Sequence, residues 1–246
     1  MGRAARIVAP RAQATAQLVC FAHAGGGEAS YYGWIPRLPP WVELITIEAP
    51  GRGRRSDESA AMNVAEVVER NVSDLAKCIR LPYATFGHSF GAHMAYRYVR
   101  SSEGLIERPS VMIQSAAQPL WRLQSPFALD DENLIRWMLK NGGGAEVLAH
   151  PSILERALVN LRADLHLLRD PDLIATHTVD VPIATFAGQD DTIVTPSLVS
   201  EWANLTTAGC EHHLFPGGHF FHQERRDEVL QAIQRIVRPY AEKMSL

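Results

Sequence analysis

Short apolar runs alternate with amphipathic helical patterns along most of the chain, and no other feature limits the possible folds as strongly. Most of the runs are continuous, as in strands that are buried on both faces of a parallel sheet. Strands that alternate with helices predict βαβ units and therefore an α/β fold with a doubly wound, mostly parallel sheet. The predicted strands are "QLVCFA" (17–22), "VELITIEA" (42–49), "YATF" (83–86), "SVMIQSA" (110–116), "VPIATFA" (181–187) and "EHHLF" (211–215).

The alternation stops between about residues 120 and 175, where no strand is predicted. Two helices are predicted instead, from "DDENLIRWMLKNGG" and from "PSILERALVNLRADLHLLRD". An insertion at this point predicts a helical lid over the carboxyl ends of the strands, where such sheets bind ligands. An ordinary extra helical layer is the alternative. Because repeats and low-complexity linkers are missing from the sequence, we expect residues 1–246 to form one domain with this insertion. The second helix places one apolar stripe at Leu154, Leu158, Leu161, Leu165 and Leu168.

The composition argues against several classes of function. Hydrophobic residues make up 46% and charged residues 21% of the chain, as in globular proteins. The net charge of -3 does not favour nucleic-acid binding. Cys20, Cys78 and Cys210 are too far apart to indicate a disulfide framework or a zinc site, and they fit a reducing cytoplasm. No apolar run approaches the roughly 20 residues that span a bilayer, and the N-terminus lacks a signal-peptide core, so we expect no membrane association.

A serine lies between two glycines where the run "YATF" meets a helical pattern. The residues Gly87-His88-Ser89-Phe90-Gly91 match the G-x-S-x-G nucleophile elbow, a sharp strand-to-helix turn that exposes the serine hydroxyl. Glycines on both sides allow backbone segments to approach where a Cβ would collide. A helix N-cap is the alternative interpretation of this serine. The motif makes Ser89 a candidate nucleophile.

A nucleophilic serine needs a base, and the chain has 10 histidines. His219, in "LFPGGHFFHQE", follows the last predicted strand and a Gly-Gly turn, so a loop presents it at the edge where Ser89 lies. His23 is the main competitor. Four other histidines have different predicted positions: inside the elbow, where the ring is expected to fill space beside the turn, within the last strand, or at the start of the final helix. These are His88, His212, His213 and His222.

The third member of such a site is a carboxylate that orients the imidazole. The segment "VPIATFAGQDDTIVTP" supplies Asp190 and Asp191 at a strand end. Asp191 has the better spacing from Gly188, and Asp190 is the alternative. The order Ser89, Asp191, His219 is the one found in the α/β-hydrolase fold, which we therefore predict.

Acyl transfer also needs donors for the oxyanion. The amide of Phe90, which follows the nucleophile, is one candidate, and the loop "FAHAGGGEASYY" supplies the amide of Ala24. The three glycines of this loop are also compatible with a phosphate cradle. However, no Gly-Lys-Ser/Thr follows them, and this disfavours a nucleotide site.

The segments "LVCFAHAGGGEASYYGW", "ELITIEAPGRGRR", "FGHSFGAHMAYR", "NGGGAEVL…LRADLHLL" and "FAGQDDTIV…FPGGHFF" together resemble the type II thioesterases that accompany polyketide synthases and nonribosomal peptide synthetases. The resemblance runs from about Gln17 to the final helix. It implies the α/β-hydrolase fold, with Ser89 as nucleophile, His219 as base and Asp191 as acid. It also implies that the amides of Ala24 and Phe90 form the oxyanion hole.

The resemblance further implies that the chain removes acyl groups from the phosphopantetheine arm of an acyl carrier protein or peptidyl carrier protein, without metal or cofactor. We expect a cytoplasmic monomer. Arg52 and Arg54, in the predicted exposed loop "PGRGRRSDE", are candidate contacts for the pantetheine phosphate or an acidic carrier surface, together with Arg55; plain solvation is the alternative. His23 is a further candidate contact.

Two departures from the family concern acyl-chain preference rather than the triad: Ala22 replaces a common proline, and the lid lacks the tyrosine often found after "LRAD". Three other functions remain open at this point. They are a carboxylesterase or lipase, an acyltransferase or cyclase with the same triad, and an inactive binding module for carrier proteins.

Overall fold

A seven-stranded sheet forms the centre of the fold in the computed structural model of this chain, which describes residues 3–122, 130–140, 150–170 and 177–242. Its strands are β1 (Ala5–Ala9), β2 (Ala16–Phe21), β3 (Val42–Ile47), β4 (Tyr83–His88), β5 (Val111–Ser115), β6 (Ile183–Gly188) and β7 (Cys210–Phe215). They are ordered β1-β3-β2-β4-β5-β6-β7. Only the β1–β3 pair is antiparallel, so the prediction of a mostly parallel sheet is confirmed.

Helices cover both faces of the sheet. In the described residues these are α1 (Val64–Ala76), α2 (Phe90–Ser101), α3 (Asp131–Lys140), α4 (Pro151–Leu167), α5 (Pro196–Ser200), α6 (Phe221–Glu224) and α7 (Arg226–Glu242). Val19 and Phe21 of β2 belong to the core beneath α1 and α2, whereas Leu18 and Cys20 belong to the core beneath α7. This division explains why the strand is apolar at successive positions. No helix in the described segments is long and apolar enough to cross a bilayer.

The two edge strands differ most from the sequence analysis. The sequence analysis does not predict β1. This strand has only five residues; Ala5 and Ala9 at its ends are buried, and Arg6 is exposed. β7 is present as predicted, but it is an edge strand in which Glu211, His212 and Leu214 are exposed. An edge strand pairs with only one neighbouring strand, so its side chains are less completely buried than those of a central strand. Its sequence is therefore not uniformly apolar.

Helices α3 and α4 lie between β5 and β6, where the sequence predicts a helical insertion. The stripe on α4 packs into the core on the α1 and α2 side through Leu158, Leu161 and Leu165, while Leu154 is only partly buried. Other parts of the predicted lid, at 123–129, 141–149 and 171–176, lie outside the described residues, and they include the "NGG" with which the first predicted lid helix ends.

Candidate active site

Ser89 occupies the sharp turn between β4 and α2 that the motif predicts. Its backbone has φ 54° and ψ −120°, a strained conformation for a residue with a Cβ. The flanking glycines explain how the chain fits around it. A Cβ on Gly87 would collide with the backbone of Ala92, and one on Gly91 with the carbonyl oxygen of Phe21. The amide of Ser89 donates to the carbonyl of Ser115 at 2.8 Å, which fixes the turn against β5.

His219 and Asp191 complete a continuous hydrogen-bonded row with Ser89. Nε2 of His219 lies 3.1 Å from Oγ of Ser89, and Nδ1 of His219 lies 2.8 Å from Oδ2 of Asp191. His219 and Asp191 are only 4% exposed. A carboxylate can only accept, so Nδ1 carries the proton and Nε2 is free to accept from the serine hydroxyl. The structure therefore brings together the three side chains that the sequence selects, and His23, the competing histidine, is not part of the row.

The two neighbouring aspartates have separate tasks. Oδ1 of Asp191 accepts from the amides of Ile193 and Val194 at 2.8 and 3.0 Å, which orients the carboxylate toward His219. Asp190 is exposed and instead binds the backbone of Gly217, in the loop that carries His219. Gly188 allows this loop to approach the end of β6, because a Cβ there would collide with the carbonyl oxygen of Gly218.

The amides proposed for the oxyanion lie on two adjacent segments. β2 pairs with β4, with Phe21 opposite Gly87, so the loop that carries Ala24 begins beside the turn at Ser89. Phe90 is the first residue of α2. Among the described residues, the amide of Ala24, in the loop, and the amide of Phe90, at the start of α2, both lack a hydrogen-bond acceptor. Both are thus available as donors at the end of the sheet where Ser89 lies.

Three further histidine rings cluster beside His219, and of these His88 packs directly against it. The ring centres of His88 and His222 are 3.8 Å apart, and the ring centre of His88 is 5.3 Å from that of His219. Burial, together with neighbouring histidines, lowers the pKa of His88 and of His222 well below the ordinary value. Burial, and then His219 and Arg52, lowers the pKa of His23 to about 4. These rings are neutral near pH 7. His88 fills space beside the turn, as predicted, and its Nδ1 lies 2.9 Å from the hydroxyl of Ser115.

The arginines after β3 are not in an exposed loop, contrary to the sequence-based expectation. Arg52 is buried and forms a two-point ion pair with Asp164 of α4. Arg54 donates to Glu28 at 3.0 Å and to the carbonyl of Ala4 at 2.7 Å. Arg55 is also buried, and it pairs with Glu58, which follows it by three positions. The guanidinium groups proposed to contact a carrier therefore have internal partners: Asp164 and Glu28 from distant parts of the chain, and Glu58 from the same turn.

Two features add detail near the site. Trp137 of α3 lies edge-on to His219, with ring centres 6.4 Å apart, so the helical insertion, predicted as a lid over this end of the sheet, contacts His219. In addition, a cavity of about 40 Å³ lies next to the turn and the glycine loop. Its lining includes Ala22, Gly26, Phe90, Met94, Asn71, Arg52 and Asp164. Among the described residues, no group of three or more histidine, cysteine or acidic side chains is placed to hold a metal ion.

Comparison with known proteins identifies the protein family to which the chain belongs. The profile of the thioesterase domain matches residues 16–237. A probable cadicidin biosynthesis thioesterase from Streptomyces griseus is 28% identical over 91% of this chain, which spans 63% of that relative's length. The gramicidin S biosynthesis protein GrsT from Aneurinibacillus migulanus is 27% identical over 90% of this chain and 89% of its own.

Comparison with solved structures also identifies thioesterases. The type II thioesterase BorB from the borrelidin biosynthetic cluster superposes with a TM-score of 0.85 and 27% identity, over 96% of this chain and 98% of BorB. This likeness confirms the predicted α/β-hydrolase fold, and the profile match spans nearly all of the sheet. The chain therefore belongs to the thioesterase domain family of thioester hydrolases, as its sequence motifs predict.

Proposed function

We propose that this chain is a serine thioesterase that hydrolyses acyl groups from the phosphopantetheine arm of acyl or peptidyl carrier proteins. The observation that carries the proposal is the hydrogen-bonded row of Asp191, His219 and Ser89. The Asp191–His219 distance is 2.8 Å and the His219–Ser89 distance is 3.1 Å. Two relatives are named for gramicidin S biosynthesis and for the borrelidin cluster. These names support a carrier-bound substrate, because the resemblance to type II thioesterases implies that acyl groups are removed from carrier proteins in such pathways.

The first half of the reaction acylates Ser89. His219 Nε2 takes the hydroxyl proton as Oγ attacks the thioester carbonyl, and Asp191 stabilises the imidazolium that forms. The negative charge on the carbonyl oxygen is met by the amides of Ala24 and Phe90, and each such donor contributes about 3 kcal/mol in the transition state. The C–S bond then breaks, and the proton on Nε2 passes to the departing sulfur.

The second half of the reaction releases the acid. His219 takes a proton from water, the resulting oxygen attacks the acyl carbon, and the C–Oγ bond breaks as the proton returns to Ser89. All of these steps use side chains of the row, two amides and water. His23, which the sequence analysis considers as a substrate contact, packs edge-on to Phe220 and stays a candidate for the wall of the site.

The deciding experiment compares one short acyl group on three carriers: a holo carrier protein, a pantetheine-like thiol and p-nitrophenol. We expect the carrier-bound thioester to have the highest kcat/KM, and Ser89→Ala to lose nearly all turnover while it still binds the carrier. Preference for the oxygen ester would instead indicate a general esterase. Acyl-enzyme formation without release of the acid would indicate transfer to another nucleophile, and full activity of Ser89→Ala would exclude the proposed nucleophile.

A further inference from the structure

An unpaired carboxamide lines the cavity beside the proposed nucleophile. Asn71 lies on the buried face of α1, between Val67 and Leu75, and is only 3% exposed. Its Oδ1 has no hydrogen-bond partner among the described residues, although it is shielded from bulk solvent. Buried polar atoms are nearly always paired, so an unpaired one that lines a cavity points to a group that enters the cavity.

A second unpaired polar atom belongs to the same cavity. Arg52 uses Nη1 and Nη2 to bind Asp164 and the carbonyl of Gly26, but its buried Nε has no acceptor among the described residues. The cavity walls therefore include one unpaired acceptor, on Asn71, and one unpaired donor, on Arg52. The remaining lining near the turn is apolar, with Phe21, Phe90 and Met94 as its larger members.

The position of this cavity fits the acyl part of a substrate. Phe90, whose amide is a proposed oxyanion donor, lines it, and so do Ala22 and Gly26 on either side of Ala24. A carbonyl held by those two amides at Ser89 thus has the cavity beside it. A water molecule needs roughly 10–15 Å³ in such a space, so about 40 Å³ has room for about three groups of that size. The cavity suits a short acyl group.

The charges in the wall limit which polar group fits. Arg52 is already neutralised by Asp164 at 2.7 Å, so a carboxylate or ammonium entering this space would have no counter-charge of its own. A hydroxyl is uncharged and can donate, so it can supply the hydrogen bond that Oδ1 of Asn71 lacks.

We infer that the cavity binds short acyl groups that carry a hydroxyl, and that Asn71 selects them over alkyl groups of the same size. This inference rests on the proposed function. An alkyl group of equal size would fill the same space while leaving the carboxamide unpaired, and this would make its transition state less stable than that of the hydroxyacyl substrate.

Two matched pairs of pantetheine thioesters test the inference. Lactyl is compared with isobutyryl, and 3-hydroxybutyryl with 3-methylbutyryl, with each hydroxy compound supplied as both enantiomers. In each pair a methyl replaces the hydroxyl without changing the number of non-hydrogen atoms. For at least one pair we expect the hydroxyacyl thioester to have a kcat/KM about tenfold higher, the effect of one net hydrogen bond. Equal values, or higher values for the methyl compound in both pairs, would overturn the inference.

Two variants separate recognition from intrinsic reactivity. Asn71→Leu keeps the size of the side chain and removes the carboxamide, so we expect the hydroxyl preference to disappear. Met94→Leu alters the same wall without changing its polarity, and we expect the preference to persist even if rates change. A preference that survives in Asn71→Leu would reflect the chemistry of the thioesters and would also overturn the inference. The free energy of unfolding of Asn71→Leu should not fall, because the lost carboxamide has no partner.

Ser89→Ala distinguishes this inference from the proposed function. If the wild type hydrolyses the thioesters, Ser89→Ala does not, and no hydroxyl preference is seen, only the inference about Asn71 fails. If the wild type releases none of the four acyl groups, the inference fails, and the comparison with a holo carrier protein decides the proposed function separately.

Discussion

Arg52 and Asp164 form a two-point ion pair between the turn after β3 and helix α4. Nη1 of Arg52 lies 2.7 Å from Oδ2 of Asp164, and Nη2 lies 2.7 Å from Oδ1. Their side chains are 7% and 2% exposed. Oδ2 also accepts from the amide of Gly25 at 2.8 Å, the residue after Ala24. One carboxylate on the helical insertion thus holds both the turn and the loop that supplies a proposed oxyanion donor.

Asp164→Asn is expected to destabilise the fold strongly. Removing one partner leaves the buried Arg52 charge without compensation, which costs about 3–5 kcal/mol of unfolding free energy. Equilibrium unfolding in urea measures this loss. The exposed pair of Arg37 and Asp227, 2.8 Å apart with side chains 43% and 72% exposed, provides the control. Asp227→Asn should cost less than about 1 kcal/mol. Similar small losses in both variants would show that the buried pair does not brace the fold.

Asp191→Asn should lower kcat far more than Asp190→Asn. An amide at position 191 stabilises the wrong tautomer of His219, and we expect a loss of about 10⁴-fold in kcat. The carboxylate of Asp190 accepts from the amide of Gly217, and its substitution should change kcat by less than about tenfold, because loop position rather than the imidazole is affected. Steady-state hydrolysis of an acyl-pantetheine thioester measures both. A larger loss at position 190 would assign the acid to that residue.

The sequence predicts the sheet and the hydrogen-bonded row of Ser89, His219 and Asp191 because both leave local signals. Continuous apolar runs mark strands buried on two faces, and the glycines at positions 87, 91 and 188 mark places where backbones meet. Spacing from Gly188 favours Asp191, position after the last strand favours His219, and the order along the chain agrees with both. β1 has only five residues and an exposed Arg6, so its pattern is too short to distinguish from a terminal segment.

Long-range pairings are the part that the sequence does not predict. Asp164 lies on the stripe of α4 between Leu161 and Leu165, and Asn71 lies on the apolar face of α1. A polar residue on an apolar stripe signals a buried partner or ligand, but it does not say which. Arg52 therefore appears solvated in the sequence, although a carboxylate 112 positions away neutralises it in the fold.

Trp137→Ala is expected to lower kcat/KM by about tenfold and also to lower the free energy of unfolding, because the indole packs against the core. The indole lies edge-on to the ring of His219, and its loss would admit water beside the base and remove a wall for the substrate. Leu139→Ala on the same helix is the control, because that side chain is 53% exposed and should affect neither quantity. Equal losses of kcat/KM in the two variants would mean that α3 acts only through its general packing.

The buried histidines predict a loss of stability at acid pH. The pKa of His23 is lowered to about 4 in the fold, and the pKa values of His88 and His222 are lowered as well, chiefly by burial. In the unfolded chain these groups titrate near 6.5, so below that pH the unfolded state binds more protons. The free energy of unfolding therefore falls as pH drops from about 6.5 toward the folded pKa values, by about 1.4 kcal/mol per pH unit for each such histidine.

Urea unfolding at several pH values between 7.5 and 5 tests this prediction with two variants. His222→Phe replaces one buried ring by an apolar ring among Phe86, Phe220 and Phe221, and it should flatten the pH dependence by about one proton's contribution. His150→Gln removes an exposed histidine and should leave the slope unchanged. If His222→Phe keeps the wild-type slope, the acid sensitivity does not come from His222. In that case His222 would have to be protonated in the fold despite its burial.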